Sequence, residues 1–205
     1  MNKFKSVAAA LAALCLSTVG ISADEPKPEL SPVVQINGGC TGWHAGDGMI
    51  VTAGHCISRM ADFDIVMSDG SSVTGVLAFF SHSSLGDDLA VIKIATVPNQ
   101  GSLEFSCGPV PPVETVIHMT GYPAVYGLAT VWGRVAGEPH ALAGYWRIAL
   151  PINISSYGGF SGSPVMTEDG LVIGVLVGSM PENKTLAFAV PTHRLCGLLA
   201  LEVGA

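Results

Sequence analysis

Between Pro32 and Pro191 the chain is cut into short apolar, β-branched runs by turn-forming residues at close intervals. The first series is PVVQI, GMIVTAG, DFDIVMS, SVTGVLAFF and DLAVIKI, with SDGS at 68–71 among its breaks. The second is TVIHMTG, LATVWGRV, YWRIAL, SPVMTEDGLVIGVLVGS and TLAFAVP. Strand-formers separated so regularly by turns are the pattern of small antiparallel barrels or sandwiches. Within the longest run, Glu168-Asp169-Gly170 predicts a hairpin. With 25 glycines, 13 prolines, 49% apolar and only 12% charged residues, the chain is turn-rich and mostly buried, not disordered or coiled-coil. Its 205 residues suffice for one or two compact domains with a real core.

CGPVPPVET at 107–115 concentrates three prolines and reads as an interdomain linker. It divides the chain into a first β unit over 32–106 and a second over 116–191. THRLCGLLALEV then places Leu195, Leu198 and Leu199 at helical spacing, with Thr192 as a cap, so a helix is expected within 192–205. No repeat at fixed period and no low-complexity tract is visible.

The first thirty residues have a different logic. Lys3 and Lys5 precede an apolar run, then small residues, then charges, which is the layout of a secretory signal peptide over 1–23. The run lacks an amphipathic stripe and falls short of the roughly 20 residues a membrane span needs. Residues 24–31, DEPKPELS, read as a flexible lead-in. A secreted or periplasmic protein is expected, with no stable membrane span after cleavage. Removal of the signal takes Cys15 and leaves Cys40, Cys56, Cys107 and Cys196, an even set for an oxidising compartment. Four cysteines allow three pairings, and arithmetic alone does not choose among them.

The formal charge of −7 argues against a phosphate-backbone partner, so no nucleic acid is expected. Ser161 lies in YGGFSGSPVM, where glycines leave room for a substrate carbonyl to approach backbone N–H groups. Such a cluster is also an ordinary turn, and it becomes a nucleophile only with a base and an orienting carboxylate. His55 in VTAGHC follows a strand and adjoins a cysteine that could clamp its loop. His44, His82 and His140 sit in polar, turn-like stretches where a solvated side chain is the default. His118 falls within a strand and His193 near the helix start. Asp88 directly precedes an apolar strand that would carry it inward, whereas Asp87 reads as a solvated turn residue. The histidines show no metal-ligand spacing, and neither metal nor cofactor is expected. Trp43, Trp132 and Trp146 read as core or barrel-rim residues. Asn153 and Asn183 open sequons that chance alone often produces. Nothing in the sequence sets an oligomeric state.

VTAGHC, DLAVIK and GGFSGSPV, in the order His, Asp, Ser, resemble the trypsin-like, chymotrypsin-fold serine proteases. Their compact gaps, and AFAVP at 187–191, are similar to the bacterial HtrA-type branch. With no PDZ-sized extension before Ala205, a bare protease domain is expected. The resemblance implies an all-β fold of two antiparallel six-stranded β-barrels with a short C-terminal helix. It implies a serine endopeptidase acting on protein or peptide substrates, with His55, Asp88 and Ser161 as triad. Gly159 and Ser161 would supply the oxyanion-hole N–H groups. It also implies a Cys40–Cys56 bridge beside the histidine and a Cys107–Cys196 bridge of the kind some members carry.

Two departures and a pocket complete the reading. Many relatives carry an aspartate before the nucleophile that pairs with an N-terminus released by activation cleavage; here Phe160 stands there, and no basic cut site precedes PVVQI. Activity without such cleavage is expected. By the same resemblance, Ser155 floors the specificity pocket and Val177, Gly178 and Ser179 form its wall. Leu176 stands where glutamate-specific relatives have histidine. These residues predict cleavage after small to medium uncharged side chains. The competing readings are a catalytically silent binding or regulatory protein on the same fold and, less favoured, an esterase-like hydrolase.

Overall fold

The computed structural model describes residues 31–57, 62–81, 88–95, 99–124, 127–137, 146–149, 158–179, 183 and 185–203. The first series of runs becomes β1 (Val33–Ile36), β2 (Cys40–His44), β3 (Met49–Ala53), β4 (Asp62–Val66), β5 (Ser72–Ser81) and β6 (Leu89–Lys93). They close into an antiparallel barrel in the order β1-β2-β3-β6-β5-β4. The second series becomes β7 (Val116–Gly121), β8 (Ala129–Gly137), β9 (Trp146–Ala149), β10 (Pro164–Thr167), β11 (Val172–Ser179) and β12 (Leu186–Pro191), followed by helix α1 (Thr192–Val203). This barrel closes in the order β7-β8-β9-β12-β11-β10, the same cyclic order as the first. The expected pair of six-stranded barrels with a terminal helix is the fold of this chain. Its duplicated topology leaves no repeat in the sequence, because strand order depends on pairing and not on residue identity.

The strand least visible in the sequence is β2, CTGWH, whose polar and glycine residues weaken its signature. Gly42 is nonetheless required there. A Cβ at this position would lie 2.7 Å from Ile36 Cδ1 and 2.8 Å from Ile50 Cγ2, inside the barrel. Both turns expected from sequence form. Gly70 and Gly170 adopt left-handed backbone, each with φ +83 or +87, and donate back to Met67 O and Thr167 O.

Three apolar clusters organise the interior. Ile36, Ile50, Phe63, Ile65 and Ile92 fill the first barrel, and Ile117, Met119, Ile148, Phe160 and Val165 fill the second. A third joins Val33, Trp43, Val51, Leu89 and Val91 of the first barrel to Met166, Val172, Val175 and Val190 of the second. Strand β6 explains why its sequence is a continuous apolar run. Ala90 and Ile92 face their own barrel while Leu89 and Val91 face the other unit, so both faces are buried. At about 1.5–3 kcal/mol per fully buried large aliphatic side chain, this shared layer holds the barrels against each other.

The segment between the barrels is tied down along its length. Ser106 N–H donates to Val172 O, Val172 N–H to Glu104 O, and Glu114 N–H to Val135 O. A disulfide joins Cys107 to Cys196 on α1, a kind of cross-link typically worth about 2–4 kcal/mol. Thr192 stands at the helix start, as expected. Its hydroxyl donates to Ser106 O at 2.6 Å, fixing the helix start to the connecting segment. His44 departs from expectation: it closes β2, half-buried, with Nδ1 2.9 Å from Gly101 O. Trp43 is fully buried, meeting Phe105 edge-on. Trp132 is 51% exposed and lies against the ring of His118. Burial holds the His118 pKa below its ordinary value, opposed by the nearby Glu168 carboxylate. Among the described residues no helix is long and apolar enough to cross a membrane. The expected signal peptide over 1–23 and most of the expected lead-in lie outside the described residues.

Candidate active site

His55 sits in a short 3-10 turn, Gly54–Cys56, directly after β3. Asp88 precedes β6, the strand paired with β3 through Ala53 and Leu89, so the sheet itself brings the two residues together. Asp88 takes left-handed backbone, φ +53, which aspartate tolerates better than most side chains. Three acceptors then face one loop. The Asp88 carbonyl accepts Gly54 N–H at 2.8 Å, Oδ1 accepts His55 N–H at 2.7 Å, and Oδ2 lies 2.9 Å from His55 Nδ1. Gly54 permits this approach, since a Cβ there would lie 2.3 Å from Ser81 O and 3.0 Å from Asp88 Oδ1.

Asp88 is buried and the His55 side chain is 36% exposed. A carboxylate only accepts hydrogen bonds, so Nδ1 carries the proton in this pair and Nε2 keeps the lone pair. The arrangement can therefore hold one imidazole tautomer in one orientation and stabilise the imidazolium if Nε2 takes up a proton. Asp87 and the histidines at 82 and 140 lie outside the described residues. His118 and His193 belong to the second barrel and to α1.

Ser161 belongs to the loop before β10, on the second barrel, and its carbonyl accepts Thr41 N–H from β2 at 2.8 Å. A disulfide joins Cys40 to Cys56 across the same place. Cys56 Sγ lies 3.8 Å from Ser161 O; with its valence taken by the bridge it makes a van der Waals contact there and donates nothing. The Ser161 backbone thus rests against the residue that follows His55. Cys40, His55 and Cys56 form a compact group of donor atoms, but sulfurs in a disulfide offer no thiolate to a metal.

Glycines make the loop geometry achievable. Gly159 has φ +109, and a Cβ there would lie 2.2 Å from Tyr122 O. Gly162 has φ +87, and a Cβ would lie 2.0 Å from Thr41 O and 2.2 Å from Thr52 Oγ1. Phe160, between Gly159 and Ser161, turns its ring into the core of the second barrel. The Gly159 and Ser161 N–H groups donate to no backbone carbonyl among the described residues.

On β11, Leu176 is buried in the barrel core while Gly178 has nothing within 4 Å of where a Cβ would be. The pairing with β12 shifts between Leu176 and Gly178, leaving Val177 as the extra residue of a β-bulge. Ser179 ends the strand, opposite Ala187. Ser155, the expected pocket floor, lies outside the described residues. Sequence reasoning overlooked Thr41 and Thr52, two fully buried threonines beside the loop. A polar side chain next to Cys40 in an otherwise apolar barrel was the available signal.

A family model of the trypsin-like peptidase domain matches residues 40–175. The chain belongs to that family. A mitochondrial protein of Arabidopsis thaliana designated protease Do-like 12 is 29% identical over 167 residues, covering 75% of this chain. The matched part is 32% of the length of that relative. Among solved structures, the peptidase superposes on the serine endoprotease from Yersinia pestis with a TM-score of 0.69 at 20% identity, covering 84% of this chain and 63% of that one. It superposes on an inactive form of Rv3671c from M. tuberculosis H37Rv with a TM-score of 0.68 at 17% identity, covering 82% and 85%. These likenesses extend the family's fold over both barrels.

Proposed function

We propose that this peptidase cleaves proteins or peptides outside the cytosol, using Ser161 as nucleophile, His55 as base and Asp88 as the orienting carboxylate. Ser161 Oγ attacks the scissile carbonyl while His55 Nε2 takes its proton, and the same imidazole then protonates the departing amine. Water resolves the acyl-enzyme by the reverse sequence, with His55 again as base. Gly159 and Ser161 N–H groups stabilise the oxyanion, each such donor being worth about 2.7–4 kcal/mol in the transition state. The observation that carries this reading is the two-point grip of the Asp88 carboxylate on His55, at 2.7 and 2.9 Å.

An exported enzyme is supported by the two disulfides and by the signal-like layout of residues 1–23. The barrels over 32–106 and 116–191 act as the two walls of the site, with 107–115 as linker. Phe160 in the core, where relatives place an activation aspartate, supports a protein active without proteolytic trimming. Val177, Gly178 and Ser179 are read as the substrate strand: the bulge leaves Val177 unmatched by β12, and Gly178 leaves open space. With Ser155 as floor, no charge would offset the desolvation of a bound arginine or lysine.

The untrimmed protein, incubated with a mixed peptide library, should therefore cleave after Ala, Val, Leu or Met. An apolar pocket separates such residues by only about 1–3 kcal/mol per methylene, so selectivity should be broad. Mass spectrometry of the products reads it directly. Dominant cutting after Arg or Lys would overturn the pocket assignment, and activity only after removal of residues near Pro32 would overturn the absence of a zymogen step.

A further inference from the structure

The loop that carries Ser161 is held peptide by peptide. Gly158 O accepts Ala124 N–H at 2.7 Å, Gly159 O accepts the Thr41 hydroxyl at 2.7 Å, Phe160 O accepts Ser163 N–H at 3.0 Å, and Ser161 O accepts Thr41 N–H at 2.8 Å. In a planar trans peptide the N–H points opposite the carbonyl, so pinning each oxygen aims the following N–H. Gly158 O and Phe160 O thus aim the N–H groups of Gly159 and Ser161, while the anchors on Gly159 O and Ser161 O fix the peptide that follows each of those residues. Two of the four anchors come from one residue, Thr41, and that residue belongs to the other barrel.

The Thr41 hydroxyl does more than close one bond. It accepts Tyr122 N–H at 2.8 Å, so its own proton is committed to Gly159 O. It thereby couples the segment Gly121–Ala124, which holds Gly158, to the glycine read as an oxyanion donor. Thr41 is fully buried, and its carbonyl accepts the Thr52 hydroxyl at 2.7 Å. Phe160, the residue between Gly159 and Ser161, adds an apolar ring in the core and a carbonyl held by Ser163 N–H. Half of the polar anchoring of the loop comes from across the interface.

We propose that Thr41 is the positioning residue that sets the oxyanion-binding geometry of this peptidase, acting from the first barrel on a loop of the second. The proposal rests on the reading of Ser161 as nucleophile and of Gly159 and Ser161 N–H as oxyanion donors. Without the hydroxyl, Gly159 O and Tyr122 N–H lose their partner together, and the peptides around Gly159 are free to turn. Substrate contacts on β11 are unaffected, so the loss falls on the transition state and not on ground-state binding.

The test compares Thr41→Val, which keeps shape and removes the hydroxyl, with Thr41→Ser, which keeps the hydroxyl. Each is assayed on a peptide that the wild-type protein cleaves and against the aldehyde of that peptide, whose adduct with the serine mimics the tetrahedral intermediate. Removing one oxyanion donor outright costs about 10²–10³ in kcat, so misaiming it should cost Thr41→Val about 10–100-fold. KM should stay within about twofold, aldehyde affinity should fall in parallel with kcat, and Thr41→Ser should recover most of both. If Thr41→Val does not fold by circular dichroism, Thr41→Ala carries the same comparison. A kcat for the hydroxyl-free variant within about twofold of wild type overturns the proposal, as does an equal loss in Thr41→Ser. Failure of a fluorophosphonate to label wild-type Ser161 would overturn the underlying site as well; labelling with unchanged kcat in Thr41→Val would overturn the positioning role alone.

Discussion

Ser161→Ala is expected to lower kcat by about 10⁶-fold, with KM and thermal stability close to wild type. The large effect follows from the division of labour at the site. The loop around Ser161 is held by carbonyl acceptors and by the Phe160 ring, and none of those contacts uses the serine hydroxyl. Removing Oγ thus deletes the nucleophile and leaves the architecture standing. A residual rate about 10³–10⁴ above water should survive, since oxyanion donors and substrate binding act without the hydroxyl. Active-site-free background must be excluded by purifying the variant from a host lacking other extracellular peptidases. Steady-state kinetics and a melting curve check both halves of the expectation.

Asp88→Asn should cost about 10⁴-fold in kcat, again with the fold retained. Both carboxylate oxygens now accept, Oδ1 from His55 N–H and Oδ2 facing Nδ1. An amide has one accepting oxygen. If that oxygen stays with the backbone N–H, the amide NH₂ faces Nδ1 and imposes the opposite tautomer, placing a proton on Nε2 where the lone pair is needed. Activity of Asp88→Asn should recover in part at high pH, where hydroxide can take over as base. A pH-independent loss of similar size, with lowered thermal stability, would mean that Asp88 serves the Gly54–Cys56 turn and not the imidazole.

Much of this was legible in the chain before any coordinates. Period and punctuation predicted two β units and a terminal helix because each strand is short and bounded by residues with special backbone needs, such as Gly70 and Gly170. The apolar strand after Asp88 was expected to carry it inward, and Asp88 is buried. The order of His55, Asp88 and Ser161, each in a distinctive setting, suggested the site. What stayed hidden was cross-barrel packing. Strand β2 was obscured because CTGWH serves other barrels' needs as much as its own: Thr41 reaches the nucleophile loop, Gly42 yields space to Ile36 and Ile50, and Trp43 fills the interface. The Thr192 hydroxyl reaches Ser106, a partner distant in sequence that a local reading does not supply. His44 was misjudged for the same reason, since its partner Gly101 lies far along the chain. Non-local partners leave no mark in a local pattern.

The central claim, that Ser161 is a nucleophile activated by His55, is tested most directly by covalent labelling. The purified protein is treated with a fluorophosphonate at neutral pH, digested, and mapped by mass spectrometry. A single adduct on Ser161, absent from Ser161→Ala and strongly slowed in His55→Ala, is the predicted result. Recovery of the peptide around Ser161 unmodified, from protein shown to be folded, would contradict it and leave a protease fold used for binding alone.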